Sequence, residues 1–242
     1  TGFPFSFYGR DYNSVWINGN GTLSFCQPVT SKTGGLMPSL GRPLIAPFWA
    51  AADPLNCDTM TGAGKVWFRN DANRLVVVWD HMGYEGMNNT GAPQLTNTFE
   101  AVLTDGSDPI VGVGNNVLLA YGDMGWSGAD TTGGLNGYGG VPAYAGIDSG
   151  DGSLAELIGR FRHDHAIFTS PSTDSGVHWL DAQSFSFDTS TPTAGDVPTL
   201  GVEDFAAWVH DNLTVLRSAI AGPVMIGRDG TFDYFTIASD PR

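Results

Sequence analysis

Charge is scarce in this chain of 242 residues: Asp, Glu, Lys and Arg make up only 15%, and one sign dominates. Eleven Lys and Arg face 25 acidic residues, 21 of them Asp and 4 Glu, for a net charge of −14. A surface this acidic repels the phosphates of nucleic acid. It fits a secreted protein or a saline, cation-rich setting, and ordinary solubility as well. Asp favours turns, loop ends and hard cations, whereas Glu favours helices. Hydrophobic residues make up 41%, so the low charge is no sign of disorder. Long apolar runs are also missing, and none approaches the roughly 20 residues of a transmembrane helix. There is no G-x-S-x-G elbow, no C-x-x-C, no H-E-x-x-H and no Gly-rich phosphate loop between a strand and a helix. Cysteine is limited to Cys26 and Cys57, each beside a predicted strand end. An even, low count suits one Cys26–Cys57 disulfide in an oxidising compartment, with two free thiols as the alternative.

What the chain has in quantity is turn formers, with 33 Gly and 14 Pro. Together with its length this predicts one large all-β domain or two small ones, and a sandwich rather than a bundle. The organising stretch is Gly41–Ala52, GRPLIAPFWAAA, ending at Asp53. Pro43 and Pro47 argue against a helix there, so the run reads as a buried strand with Phe48 and Trp49 in the core. Before it, Val15–Phe25 alternates as strands around Asn18-Gly19-Asn20-Gly21, a strong hairpin signal. Residues Gln27–Arg42 read as a polar loop, and Lys65–Arg69 and Arg74–Asp80 as strands about an Asn70–Asn73 turn. The β-branched run Leu75–Trp79 reads as a central strand buried on both faces. Asn97–Leu103 and Asn116–Tyr121 are further strands.

These pieces, in this order, resemble the nidogen-like extracellular (NIDO) domain family over residues 1–188. The carrying motifs are Phe3–Gly9 (FPFSFYG), Tyr12 through Phe25 with N-x-N-G-x-x-S-F, and Ile45–Trp49 (IAPFW) with Asp53. Val77–Asp80, Asn97–Leu103, Asp105-Gly106, Tyr121, Trp126 and the closing Ala145–Gly152 (AGIDSGDG) continue the pattern. The resemblance implies an all-β, mainly antiparallel β-sandwich. It also implies an extracellular or cell-surface, non-catalytic adhesion or matrix protein that contacts proteins or glycans. Two other readings are a self-assembling subunit of an extracellular filament or sheath and the accessory domain of a secreted hydrolase. The start at Thr1, without Met or a signal-like segment, reads as a processed or trimmed chain.

Residues 189–200 are Thr/Pro-rich and read as a linker. In the C-terminal extension, residues 201–242, Phe205, Val209, Leu213 and Leu216 fall on one face of a predicted helix Val202–Ile220. A β-hairpin follows, from Val224–Ile226 and Phe232–Ile237. The helix stripe must pack on its hairpin, on the sandwich, or on another copy, so self-association through residues 201–242 is one expectation.

Few residues suggest chemistry. Clustered carboxylates with glycine, Asp148 with Asp151 and Asp105 with Asp108, are candidate calcium ligands, with turn capping as the alternative. His163-Asp164-His165 puts two imidazoles on one strand face but lacks the further ligands zinc needs, so it reads as a polar strand end. Trp126, Tyr138 and Tyr144, in the Gly-rich segment Gly122–Gly146, are candidate binding-loop anchors. In the resembling family, however, the tryptophan is a regular feature of the fold, which favours core packing for Trp126. Sequons for N-glycosylation occur at Asn20, Asn88 and Asn212.

Overall fold

The computed structural model describes residues 2–35, 37–39, 41–54, 64–86 and 95–191, and the backbone of strands 224–229 and 232–237. Tyr8 and Gly9 both take positive φ, 49° and 74°. A two-residue hairpin turn of the twist-compatible kind requires that of both positions. It joins β1 (Phe5–Phe7) to β2 (Arg10–Tyr12), with Phe7 opposite Arg10. The F-x-F-Y-G motif is therefore a turn plus two core rings. Phe5 and Phe7 are buried, 5.6 and 5.2 Å from the ring of Phe25.

The next hairpin pairs β3 (Trp16–Asn18) with β4 (Thr22–Ser24), Asn18 opposite Thr22. Gly21 in its turn has φ 78°, and its carbonyl accepts a hydrogen bond from the Phe48 amide at 3.3 Å. A Cβ at Gly21 would lie 2.0 Å from the Phe48 carbonyl oxygen. Only glycine permits both the dihedral and the approach. The buried Asn18 amide Nδ2 donates to the Thr22 carbonyl at 3.2 Å and to Ser24 Oγ at 3.1 Å, and its Oδ1 accepts from Val29 N at 3.1 Å. One side chain thus pins the hairpin to the loop that follows it.

Strand β5 (Leu44–Trp49) is buried along its whole length, as expected. Its two faces meet different layers. Phe48 belongs to the main core, while Trp49 joins Val29, Met37, Leu44 and Ala46 in a second apolar cluster. Val29 and Met37 come from the 27–42 loop, so that loop is an apolar cover as well as a polar connection. Just past Trp49 the chain changes sheets, and β6 (Ala52–Asp53) pairs with the end of β8 (Arg74–Tyr84).

The remaining strands are β7 (Lys65–Asn70), β9 (Asn97–Thr104), β10 (Val117–Met124), the short β11 (Gly134–Leu135) and β12 (Tyr138–Gly139), β13 (Ala143–Asp148), β14 (Ala155–His163), β15 (Asp174–Gly176) and β16 (Ser184–Phe187). One sheet runs β15-β14-β13-β5-β4-β3. The other runs β16-β10-β9-β8, with β7 against the first part of β8 and β6 against its end. Among the described strands only β14 and β15 pair in parallel. The protein is all-β and mainly antiparallel.

Rings from both sheets converge on Phe48: Phe99 at 5.6 Å, Trp126 at 5.5 Å and Phe161 at 6.4 Å. Two buried polar tips cross the same interior. The Trp79 indole donates to the Asn18 carbonyl at 2.9 Å, and the Tyr121 hydroxyl to the Pro47 carbonyl at 2.7 Å. Burial pushes the Tyr121 phenol well above its ordinary range.

Two expectations need correction. Leu75–Trp79 is not buried on both faces: Leu75, Val77 and Trp79 enter the core, but Val76 and Val78 are only half-buried. A β-branched run shows strand propensity, but whether the second face is covered depends on the layers around it. Gly122–Gly146 is also not one long loop. Strand β10 enters it, β13 leaves it, and between them lie a 3-10 turn at Asp130–Thr132 and the β11–β12 hairpin.

The chain divides into two compact units, Thr1–Leu200 and Gly201–Arg242. In the second, β17 (Val224–Asp229) and β18 (Phe232–Ile237) form the expected antiparallel hairpin. The helix expected over 202–220 and most of the 189–200 linker lie outside the described residues.

Gly21→Ala is expected to lower unfolding stability by about 2 kcal/mol or more, through left-handed strain and the clash with Phe48. Gly19→Ala, with nothing within 4 Å of an added Cβ, should change it by less than about 1 kcal/mol. Urea titration of the two variants checks both.

Candidate functional site

The most chemically pointed part of the domain is the closing motif Ala145–Gly152. Gly146 lies where the pairing register of β13 shifts against both neighbours, β14 and β5 each carrying one residue more than β13 there. A side chain there would meet the Glu156 carbonyl at 2.3 Å. Beyond this shift Asp148 is fully buried. Its Oδ1 accepts from Gly150 N and its Oδ2 from Ser39 N, both at 2.7 Å. Burial pushes this carboxyl up to about 6, against the pull of the two amides. Asp151 Oδ1 accepts from Ser149 Oγ at 2.6 Å and from Ser153 N at 2.8 Å. Burial raises Asp151, but hydrogen bonds from Ser149 and Ser153 outweigh it and leave the group below its usual value.

The other pair sits in a separate turn. Asp105 Oδ1 takes both the hydroxyl and the amide of Ser107, at 2.6 and 3.0 Å, and these hold it below its usual value. Buried Asp108 accepts from Ile110 N at 2.9 Å and faces Arg74 Nη1 at 3.1 Å. All four candidate calcium ligands therefore close their own turns. A cation at either place would compete with those N–H and O–H donors. Among the described residues no three His, Cys, Asp or Glu are grouped as a metal would need.

Of the two readings of the binding-loop candidates, burial favours core packing for Trp126 and Tyr144. Trp126 is fully buried, its indole donating to the Met82 carbonyl at 2.8 Å and its backbone held at both ends by the Asn97 amide. Tyr144 is 7% exposed, and the half-buried Tyr138 donates its hydroxyl to the Gly125 carbonyl at 2.6 Å. An aromatic ring in a Gly-rich segment packs inward when those glycines let the backbone fold over it. The exposed rings of His163 and His165 stack 5.4 Å apart, and His165 Nδ1 lies 2.9 Å from Asp164 Oδ1. The pair forms a polar strand end.

Cys26 is an exposed free thiol at positive φ, while Cys57 lies outside the described residues. Asn20 spends its amide on the Ser31 carbonyl at 2.7 Å, and its sequon partner Thr22 is fully buried. Asn88 and Asn212 lie outside the described residues.

Other features went unmarked in the sequence. Arg160 and Arg162 both meet Asp174 across the parallel β14–β15 pairing, at 2.8 and 3.1 Å, a long-range contact that no local motif announces. A cavity of about 310 Å³ is lined by Gln27, Ser39, Gly41, Arg42, Leu44 and Trp49. On β7, Trp67 and Phe68 are 54% and 68% exposed. Adjacent aromatics between Lys65 and Arg69 were the available signal for that surface.

The architecture defines a class: a two-sheet antiparallel sandwich whose motif glycines and aromatics are used in turns and core. The family model described as NIDO related matches residues 1–158, and this chain belongs to that family. Alpha-tectorin of Mus musculus is 30% identical over 171 residues, covering 61% of this chain and 8% of that protein, and alpha-tectorin of Homo sapiens matches equally. Dendrite extension defective protein 1 of Caenorhabditis elegans is 28% identical over 148 residues, covering 51% of this chain and 12% of its own length. The chain thus spans only a small part of these relatives. No solved structure matches. Among the described residues no helix is long and apolar enough to cross a membrane.

Asp148→Asn offers one acceptor to two amides and leaves an N–H facing an NH₂, a loss of about 1–3 kcal/mol. The sign of the pH effect follows from a carboxyl raised to about 6 in the folded state. Its stabilising contribution is complete below the unfolded value and is lost as pH rises through about 6. The stability advantage of wild type over Asp148→Asn should therefore shrink between about pH 4 and pH 7, by up to about 3 kcal/mol. Denaturant unfolding of both proteins across that range is the measurement, and a pH-independent difference would contradict the assignment.

Proposed function

We propose that this chain is a non-catalytic extracellular module of adhesion or matrix structure that works through protein or glycan contacts on its surface. One observation carries the reading: the motif residues are used for architecture. Gly21, Phe48, Trp79, Trp126, Gly146 and Asp148 sit in turns, core and the β13 register shift, and none is left poised over a cleft. Family membership supports the extracellular setting, as the resemblance implies. A fold hosts many functions, so contact chemistry must come from the side chains that remain exposed. Two places offer it: the rings on β7, and the cavity beside Arg42, whose guanidinium has no carboxylate partner among the described residues. Arg beside Trp49, Gln27 and Ser39 suits an acidic saccharide or a peptide carboxylate. In an oxidising compartment Cys26 would pair with Cys57, and calcium would be the cation best suited to the aspartate turns.

Screening the purified chain on a glycan and matrix-protein array, alongside a hydrolase substrate panel, tests the proposal. Saturable binding without turnover is the expected result. Turnover without binding would favour the accessory-domain reading and refute this one.

A further inference from the structure

Among the described strands β7 pairs on one side only. Its residues 65–70 run opposite residues 80–75 of β8 with no break in register, and no other described strand lies on its far side. Five of its six residues are exposed. Soluble proteins protect a long, regular edge with proline, a bulge, charged side chains or a cover, because its free N–H and C=O groups are a template for another strand. β7 has no proline and no bulge, and it shows two large rings, Trp67 at 54% and Phe68 at 68% exposure. Its cations lie at Lys65 and Arg69, and Asp71, directly after the strand, faces Arg69 Nε at 2.9 Å and Arg74 Nε at 3.6 Å within the chain, so a pair across two copies would share or exchange these contacts.

That order of residues is complementary to itself when read backwards. Suppose two copies of β7 run antiparallel with Phe68 opposite the partner's Phe68. On one face Lys65 then stands opposite the partner's Asp71, and Trp67 opposite the partner's Arg69. The same two pairs recur across the two-fold axis. On the other face Val66 meets the partner's Asn70 on either side of the Phe68 pair. Opposite charges and aromatic pairs directly across strands are the stabilising combinations. Within one chain this face already carries a cation over an aromatic ring, with Lys65 Nζ 5.3 Å from the Trp67 ring. A register centred on Trp67 would instead set Lys65 against the partner's Arg69, like against like. Of these two registers the charge pattern favours the one centred on Phe68, and that register closes on itself as a two-fold pair.

We infer that β7 is a homodimer edge, joining the β7-containing sheets of two copies of this chain into one continuous sheet by antiparallel β7–β7 pairing about Phe68. The inference deepens the structural reading above by naming a second copy as the partner at this surface. Two domains joined edge to edge would act as a two-headed connector, with both Arg42 cavities still available for other contacts.

The test is sedimentation equilibrium of the full chain from roughly 1 µM to roughly 100 µM, where weak interfaces assemble and dissociate. Wild type should move from one to two chain masses, and no further. Phe68→Glu places two carboxylates across the axis, and Trp67→Lys sets a cation against the partner's Arg69. Each should raise the dissociation constant at least tenfold while leaving the circular dichroism spectrum unchanged, because both side chains are exposed. Trp16→Glu alters a similarly exposed ring, 52% exposed on an edge of the other sheet, and should leave the dimer intact. A single chain mass throughout overturns the inference. So does a mass that grows beyond two, or a dimer that both Phe68→Glu and Trp67→Lys preserve. None of these outcomes bears on the binding array, and failure of the array leaves the dimer measurement standing.

Discussion

The constraint on which the sandwich depends is the two-residue contact at Pro47 and Phe48. Proline in an inner strand gives up a ladder hydrogen bond, which usually confines it to edges and bulges. Here the ladder is already interrupted on both sides. Strand β4 pairs with β5 only at Ile45 and Leu44, and the β13 register shifts between Tyr144 and Gly146. Pro47 occupies that gap, and its carbonyl turns inward to take the Tyr121 hydroxyl from the opposite sheet. Phe48 then projects into the core to meet rings from both sheets. The backbone interruption gives an inter-sheet hydrogen bond its acceptor, and the ring beside it fixes the spacing of the layers.

Other motif residues serve that contact. Gly21 lets the β3–β4 turn lie against the Phe48 backbone, and the Asn18 carbonyl in the same turn receives the Trp79 indole from across the core. Gly146 pairs with Ala46 at the register shift where β5 carries its additional residue at Pro47 and Phe48. The motifs are scattered in sequence but meet in space, so each constrains the others. Residues whose rings and polar atoms are used on one another in this way are not free to meet a ligand, which is why the functional reading moves to edges and cavities.

Much of this architecture is legible in the amino-acid sequence. The N-x-N-G turn and the prolines Pro43 and Pro47 each declare a local backbone conformation, and local conformation is what a sequence states most directly. Layering is not legible in the same way. Nothing in Leu75–Trp79 tells whether Val76 and Val78 meet a covering layer, and the inward position of Trp126 is readable only through the family resemblance, not from the residues of Gly122–Gly146. The site divides along the same line. The aspartates read as turn formers or ligands, and geometry favours turns. The Arg160–Asp174–Arg162 cluster escapes a sequence reading because it needs a parallel pairing that leaves no local pattern. The edge at β7 escapes it too, because strand propensity in residues 65–70 does not say which neighbours the strand will have.

The acidic composition itself has a structural explanation. Asp105, Asp108, Asp148, Asp151 and Asp188 each accept the backbone N–H of the residue two positions on, at 2.7 to 3.0 Å. That ring is sized for an Asp or Asn side chain. Glutamate, one methylene longer, does not close it in the same way. A fold with this many turns therefore draws on Asp, and the excess of 21 Asp over 4 Glu follows from turn-building as well as from any need for charge. The net charge of −14 is partly a by-product of that choice. It still has consequences at the surface, where a general self-repulsion discourages nonspecific contact between copies. Against such a background, two cations and two aromatic rings on β7, whose outer edge meets no other described strand, form a local exception to that repulsion.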